Sequence, residues 1–141
     1  MTGEKSARRR LRERLAVKKL IVAPGIYDAY GARMVEQAGF EAAYMTGNGV
    51  SARVLGRPDV GLVDLTLLSR HAHYAAACID IPLICDADTG YGNAVNVRHT
   101  VCEFEAAGVA AVHIEDQITP KRCGHLPGAR PVIELAEAVG K

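Results

Sequence analysis

Pro82-Leu83-Ile84-Cys85, running directly into Asp86-Ala87-Asp88-Thr89-Gly90-Tyr91-Gly92, is the stretch on which the fold reading turns. The apolar run reads as a buried strand. An acidic, glycine-rich loop follows, and Ala94 to Ala107 then has the length and pattern of a helix closed by Gly108. This βα unit recurs on both sides. Upstream, Leu20 to Ala23 reads as a first strand stopped by Pro24-Gly25, and Asp28 caps a helix from Ala29 to Ala38 that ends at Gly39. Ala42 to Met45 reads as a second strand. A small-residue loop, Thr46-Gly47-Asn48-Gly49, follows it and extends through Gly56, Pro58 and Gly61 to Asp64, which caps a helix from Leu65 to Cys78. Downstream, Ala110 to Ile114 is the fourth strand, Glu115-Asp116-Gln117 ends it, and a last helix is expected to begin near Val132. Strands alternating with helices in this way need crossover connections, so the expected fold is α/β with a parallel sheet. Polar residues cluster just after each strand, where βα loops build the active face of a barrel or open sheet.

The 141 residues are 49% hydrophobic with 14 glycines and 5% aromatics, which fits one globular domain with close helix-on-sheet packing. No apolar run approaches the roughly 20 residues of a membrane span, and the charged N-terminus has no apolar core behind it. A cytoplasmic protein with no membrane partner is expected. Lys5, Arg8, Arg9, Arg10, Arg12, Arg14, Lys18 and Lys19 concentrate the positive charge; without that segment nine basic residues face fourteen acidic ones, which argues against a nucleic-acid surface. Leu11, Leu15 and Leu20 lie near one helical face, so residues 1–19 read as a basic leading helix with a solvated side. Cys78, Cys85, Cys102 and Cys123 form no CxxC pair and are expected as reduced thiols, the first three as small buried hydrophobes.

Several groups carry chemistry. Asp86 and Asp88, two apart at a strand end, point their carboxylates to one side by strand periodicity and suit a hard cation such as Mg²⁺; the alternative is a polar loop in which Asp88 caps the next helix. Glu115 and Asp116 at the neighbouring strand end add acids for that site, or else pair with Lys121 or Arg122 at the surface. His113 reads as a hydrogen-bonded core residue. Cys123, between Lys121-Arg122 and Gly124-His125, sits among cations that favour a thiolate, which makes it a candidate for proton transfer or nucleophilic attack; an exposed loop thiol with incidental neighbours is the competing reading. Gly47-Asn48-Gly49-Val50-Ser51-Ala52 fits G-x-G-x-x-A formally, but a loop rather than a helix is expected after it, so it is read as a backbone nest for a carboxylate and not as a dinucleotide fingerprint.

Taken together, Tyr44-Met45-Thr46-Gly47-Asn48-Gly49, Gly56-Arg57-Pro58-Asp59, the Asp86 to Gly92 loop, Glu115-Asp116-Gln117 and Lys121-Arg122-Cys123-Gly124-His125 resemble the isocitrate lyase and phosphoenolpyruvate mutase superfamily, most of all its 2-methylisocitrate lyase branch. The resemblance implies a (β/α)8 TIM-type barrel and Mg²⁺, with Mn²⁺ as a substitute, held through Asp86 and Asp88 with Glu115 nearby. It further implies a 2-hydroxy or 2-oxo carboxylic acid substrate, bound by Tyr44, Thr46, Gly47, Asn48, Asp59 and Gly124. Cys123 is implied as the proton donor in carbon–carbon cleavage and His125 as the residue tuning it. A homo-oligomer, tetrameric in full-length relatives, also follows from the resemblance. Phosphonomutases and oxaloacetate hydrolases or decarboxylases of the same superfamily are the alternative enzymes.

Length sets the last expectation. A TIM barrel takes roughly 250 residues, so residues 20–141 are expected to supply the first four βα units of one, truncated at the C-terminus. A noncatalytic half-barrel is the alternative from outside enzymology.

Overall fold

The computed structural model of the chain describes residues 6–17 and 20–141. Helix α1 (Ala7–Ala16) precedes strand β1 (Gly25–Ile26), and α2 (Ala29–Gln37), β2 (Ala43–Met45) and the short α3 (Gly47–Val50) follow. A π-helical turn (Ser51–Leu55) extends α3. The remaining elements are α4 (Leu65–Ala77), β3 (Leu83–Asp86), α5 (Ala94–Ala106), β4 (Ala111–His113) and α6 (Leu135–Gly140). The four strands form one sheet in the order β1-β2-β3-β4, and every pairing is parallel. Sequential order with helical crossovers is barrel topology, and four strands are half of a TIM barrel's eight.

The helices start where side chains satisfy their free N–H groups. Gly31 N–H donates to Asp28 Oδ1 at 2.8 Å and Leu67 N–H to Asp64 Oδ1 at 2.7 Å, while Asn93 and Asn96 form a reciprocal capping box on α5. The core lies between the sheet and these helices. Met45, Leu83 and Cys85 pack there against Ala32, Leu68, Ala72, Ala75 and Phe104. Leu68, Ala72 and Ala75 recur at helical spacing, and the two alanines let α4 approach the sheet closely. Along β3 the residues alternate, so Leu83 and Cys85 are buried under helices while Ile84 and Asp86 are half-buried on the opposite face.

Several sequence expectations change. No strand forms over Leu20 to Ala23; pairing begins with Tyr44 N–H donating to the Pro24 carbonyl at 3.0 Å, because the three-residue β2 offers partners only from there onward. The last helix begins at Leu135 rather than near Val132, which instead bridges Gln117 in antiparallel fashion. Cys102 is exposed on α5 and is not a buried hydrophobe, whereas Cys85 is buried; all four thiols are free. The leading helix does not present one leucine face. Leu11 is 4% exposed, but Leu15 is 61% and Leu20 88% exposed. Its arginines do the docking instead. Arg8 donates to the carbonyls of Val109 and Glu105, Arg10 to that of Asp80, and Arg14 pairs with Glu41. Glu41, Asp80 and Val109 each lie just before a strand, so α1 lies across the amino ends of β2, β3 and β4, opposite the end that carries the acids. Lys5, Lys18 and Lys19 lie outside the described residues. Among the described residues no helix is long and apolar enough to cross a membrane.

Candidate active site

The carboxyl end of β3 is held by its neighbours on both sides. Gly47 N–H donates to Asp86 Oδ2 at 3.2 Å, and a side-chain carbon at position 47 would lie 2.8 Å from that oxygen, so glycine is what lets α3 approach Asp86. Asp88 N–H donates to Asp86 Oδ1 at 2.9 Å. On the other side Ala87 N–H donates to the His113 carbonyl at 2.9 Å and Glu115 N–H to the Asp88 carbonyl at 2.7 Å. Asp88 itself has φ of 47°, a left-handed conformation uncommon for a residue with a side chain. The two carboxyls therefore share a side because of a latched turn beyond the strand, and not through strand periodicity.

Asp59 completes the cluster. It arrives on the loop after the π-helical turn, where Ser51 Oγ donates to the carbonyls of Arg57 and Pro58. Ligand-capable oxygens of Asp59, Asp86 and Asp88 all lie within 4.8 Å of one another. Lys121 reaches into the group and is only 3% exposed, with Nζ 2.6 Å from Asp59 Oδ2 and 2.5 Å from Asp88 Oδ1. The sequence offered Lys121 only as an alternative surface partner of Glu115 or Asp116; nothing in Lys-Arg-Cys distinguishes a buried ammonium from a solvated one.

The electrostatics follow from three carboxyl groups facing one ammonium. Burial pushes the Asp88 carboxyl up to about 6, with Asp86 and Asp59 adding to the rise and Lys121 opposing it. Burial acts to lower the Lys121 value, but its hydrogen bonds and charge contacts with Asp59 and Asp88 outweigh that and hold it above the ordinary lysine range. Asp88 Oδ1 is buried and faces the Lys121 ammonium at 2.5 Å. A cluster of three carboxyl groups facing a single ammonium fits a divalent cation.

The other expected residues surround this cluster unevenly. Tyr44 lies half-buried beside it with its ring 5.3 Å from that of His113; burial, then Asp86, Cys85 and Glu115, push its phenol up to about 12. His113 is exposed on the open face of the sheet and is not a core residue. Glu115 lies outside the cluster of three, and its Oε2 accepts from Gln117 Nε2 at 2.5 Å. Thr46 caps α3 by accepting Gly49 N–H at 3.2 Å, so the Gly47 to Val50 segment is a helix opening where a loop was expected. With Gly47 N–H turned to Asp86 and Gly49 N–H to Thr46, the nest is partly filled by the protein itself. Asn48 is exposed. Cys123 is half-buried, and its N–H donates to the Asp59 carbonyl at 3.0 Å. Gly124 and His125 follow in an exposed turn. The acid cluster and the cysteine segment thus meet at Asp59, through its side chain and its carbonyl respectively.

Residues 11–141 match the family model described as phosphoenolpyruvate phosphomutase. The 2,3-dimethylmalate lyase of Eubacterium barkeri is 50% identical over 132 residues, covering 94% of this chain and 45% of that protein. The 2-methylisocitrate lyase of Aeropyrum pernix is 46% identical over 118 residues, covering 84% and 38%. A crystal structure of 2,3-dimethylmalate lyase superposes with a TM-score of 0.91 at 41% identity, covering 98% of this chain and 46% of that one. The chain therefore spans less than half the length of these relatives. A parallel sheet in sequential order, an acid cluster at its carboxyl end and a family match over nearly the whole chain lead to one assignment: the chain belongs to the phosphoenolpyruvate phosphomutase family, within the superfamily that includes the isocitrate lyases.

Proposed function

We propose that the protein is a carbon–carbon lyase that cleaves a 2-hydroxy carboxylate of the 2-methylisocitrate type to a 2-oxo acid and a dicarboxylate. The observation that carries this reading is the junction at Asp59, which joins the acid cluster to the cysteine segment. Similarity to two lyases supports it.

In this reading Asp86 and Asp88, with Asp59 beside them, hold Mg²⁺ or Mn²⁺, and the ion supplies Lewis-acid polarisation of the oxo-acid oxygens when bound. Glu115 stands behind this set. Thr46, Gly47 and Asn48 receive the substrate carboxylate at the start of α3. A phenol raised to about 12 keeps its proton at neutral pH, so Tyr44 acts as a hydrogen-bond donor and not as a base. Lys121, held as a cation, offsets the acids and the charge brought by the substrate. A general base takes the proton of the substrate hydroxyl, the carbon–carbon bond breaks, and its electron pair passes to the departing dicarboxylate as an enediolate. The Cys123 thiol then gives its proton to that carbon. Gly124 lies beside the substrate, and His125 tunes the thiol.

The test is pyruvate release from 2-methylisocitrate by a full-length barrel that carries these residues. Cys123→Ser is expected to fold and bind Mn²⁺ yet lose about 10²-fold or more in kcat. Near-normal turnover in that variant would move the protein to the phosphonomutase or to the oxaloacetate hydrolase and decarboxylase readings, in which the acid cluster works without the thiol.

A further inference from the structure

The segment from 117 to 132 is a loop closed at its neck. Ile118 N–H donates to the Pro131 carbonyl at 2.9 Å and Ile133 N–H to the Asp116 carbonyl at 2.8 Å, around the Gln117–Val132 bridge. Inside this neck the Gln117 carboxamide is bonded on both ends. Its Nε2 donates to Glu115 Oε2 at 2.5 Å and to the Arg122 carbonyl at 3.2 Å, and its Oε1 accepts Arg122 N–H at 3.0 Å. Three consecutive residues are therefore anchored by different means. Lys121 is fixed through its side chain by Asp59 and Asp88, Arg122 through its backbone by Gln117, and Cys123 through its N–H by Asp59.

We propose that Gln117 is a positioning residue for Cys123: its carboxamide fixes the backbone at Arg122 relative to Glu115, and so sets where the thiol stands with respect to the acid cluster. The physical argument is one of degrees of freedom. Asp59 holds Cys123 by a single hydrogen bond, about which the peptide can still pivot. The bond that the Cys123 carbonyl accepts from Leu126 N–H at 3.0 Å stays within the same turn and moves with it, and the flexible Lys121 side chain does not determine the orientation of its own backbone. A two-point contact on both the N–H and the carbonyl of Arg122 removes that pivot. No apolar packing substitutes for it, since Arg122, Gly124 and His125 are exposed. This role matters for turnover only if Cys123 is the proton donor, so it rests on the proposed function, but the position of the thiol can be measured without turnover.

The experiment compares wild type with Gln117→Ala and Gln117→Glu, each in a full-length barrel that carries these residues. The glutamate keeps the shape and the acceptor for Arg122 N–H but lacks the donors to Glu115 and to the Arg122 carbonyl. Each protein is treated with iodoacetamide, and labelling of Cys123 is quantified by peptide mass mapping relative to Cys102, an exposed thiol on α5 that serves as internal reference. The Cys123 to Cys102 rate ratio is expected to change by about fivefold or more in both variants, and kcat to fall by about 10- to 100-fold with KM within about threefold, because misplacing a reacting group by about an ångström costs that much. A ratio within twofold of wild type in a folded variant overturns the proposal. If Gln117→Ala does not fold, the Gln117→Glu ratio decides. A changed ratio in a protein that never cleaves 2-hydroxy acids leaves the positioning role standing and removes the lyase reading.

Discussion

Asp88 concentrates the chemistry of the site in one residue. Its carboxyl, raised by burial to about 6 from an ordinary 3.8, binds a proton in the folded protein at pH values where the unfolded chain has already lost it. The sign follows from that order: the metal-free protein gains stability as pH falls from about 7 towards 4, because the folded state binds more protons over that range. The same proton competes with a cation for the oxygen. Mn²⁺ affinity, read by electron paramagnetic resonance, is therefore expected to be flat above about pH 7 and to fall by up to about tenfold per pH unit below 6. Asp88→Ala should weaken binding by about 10-fold or more and flatten the profile. An unchanged affinity in this variant would remove Asp88 from the metal site. Residue type and spacing marked the paired acids and Cys123 as candidates. They did not mark Lys121, because its burial depends on Asp59 and Asp88, which lie 62 and 33 positions earlier in the chain.

At the level of elements, α1 shows how a strongly basic helix becomes structural. Its guanidinium groups donate to carbonyls at the end of α5 and in the turns that lead into strands. Only Leu11 adds buried apolar area. Leu11→Ala is accordingly expected to cost about 2–4 kcal/mol in urea denaturation, against less than about 0.5 kcal/mol for the exposed Leu15→Ala. Equal effects would mean that α1 is seated differently. The helices α2, α4 and α5 were legible because each has a polar cap and an apolar period, and α2 and α5 also have a closing glycine. Helix α3 was hidden. Gly47 and Gly49 argue against a helix locally, and the turn is imposed by the close approach to Asp86 that only glycine allows.

Across the whole molecule, four parallel strands leave β1 and β4 each with a partner on one side only among the described residues, and they leave Tyr44, Ile84 and His113 on an open face. Unpaired edges next to exposed apolar surface favour association. These 141 residues expressed on their own are therefore expected to self-associate with increasing concentration and to lack measurable lyase activity. Size-exclusion chromatography with light scattering and a pyruvate assay check the two parts. A monodisperse monomer that turns over 2-methylisocitrate would show that the four units suffice without closure. The homo-oligomer expected of the family belongs with this test.

The sequence by itself determined the alternation of strand and helix, the parallel α/β class, the placing of acids and a thiol on loops after strands, and, through its combined motifs, the superfamily. These are local properties: caps, periods and strand-end chemistry are carried by residues near one another in the chain. Tertiary structure alone decided that Asp59 joins Asp86 and Asp88, that Lys121 is buried between two of them, that Gln117 clamps Arg122, and that the arginines of α1 close the opposite end of the sheet. Each of these contacts brings together different βα units or folds a loop back on its own neck, and its energy comes from burial and charge compensation that exist only once the strands have been set side by side.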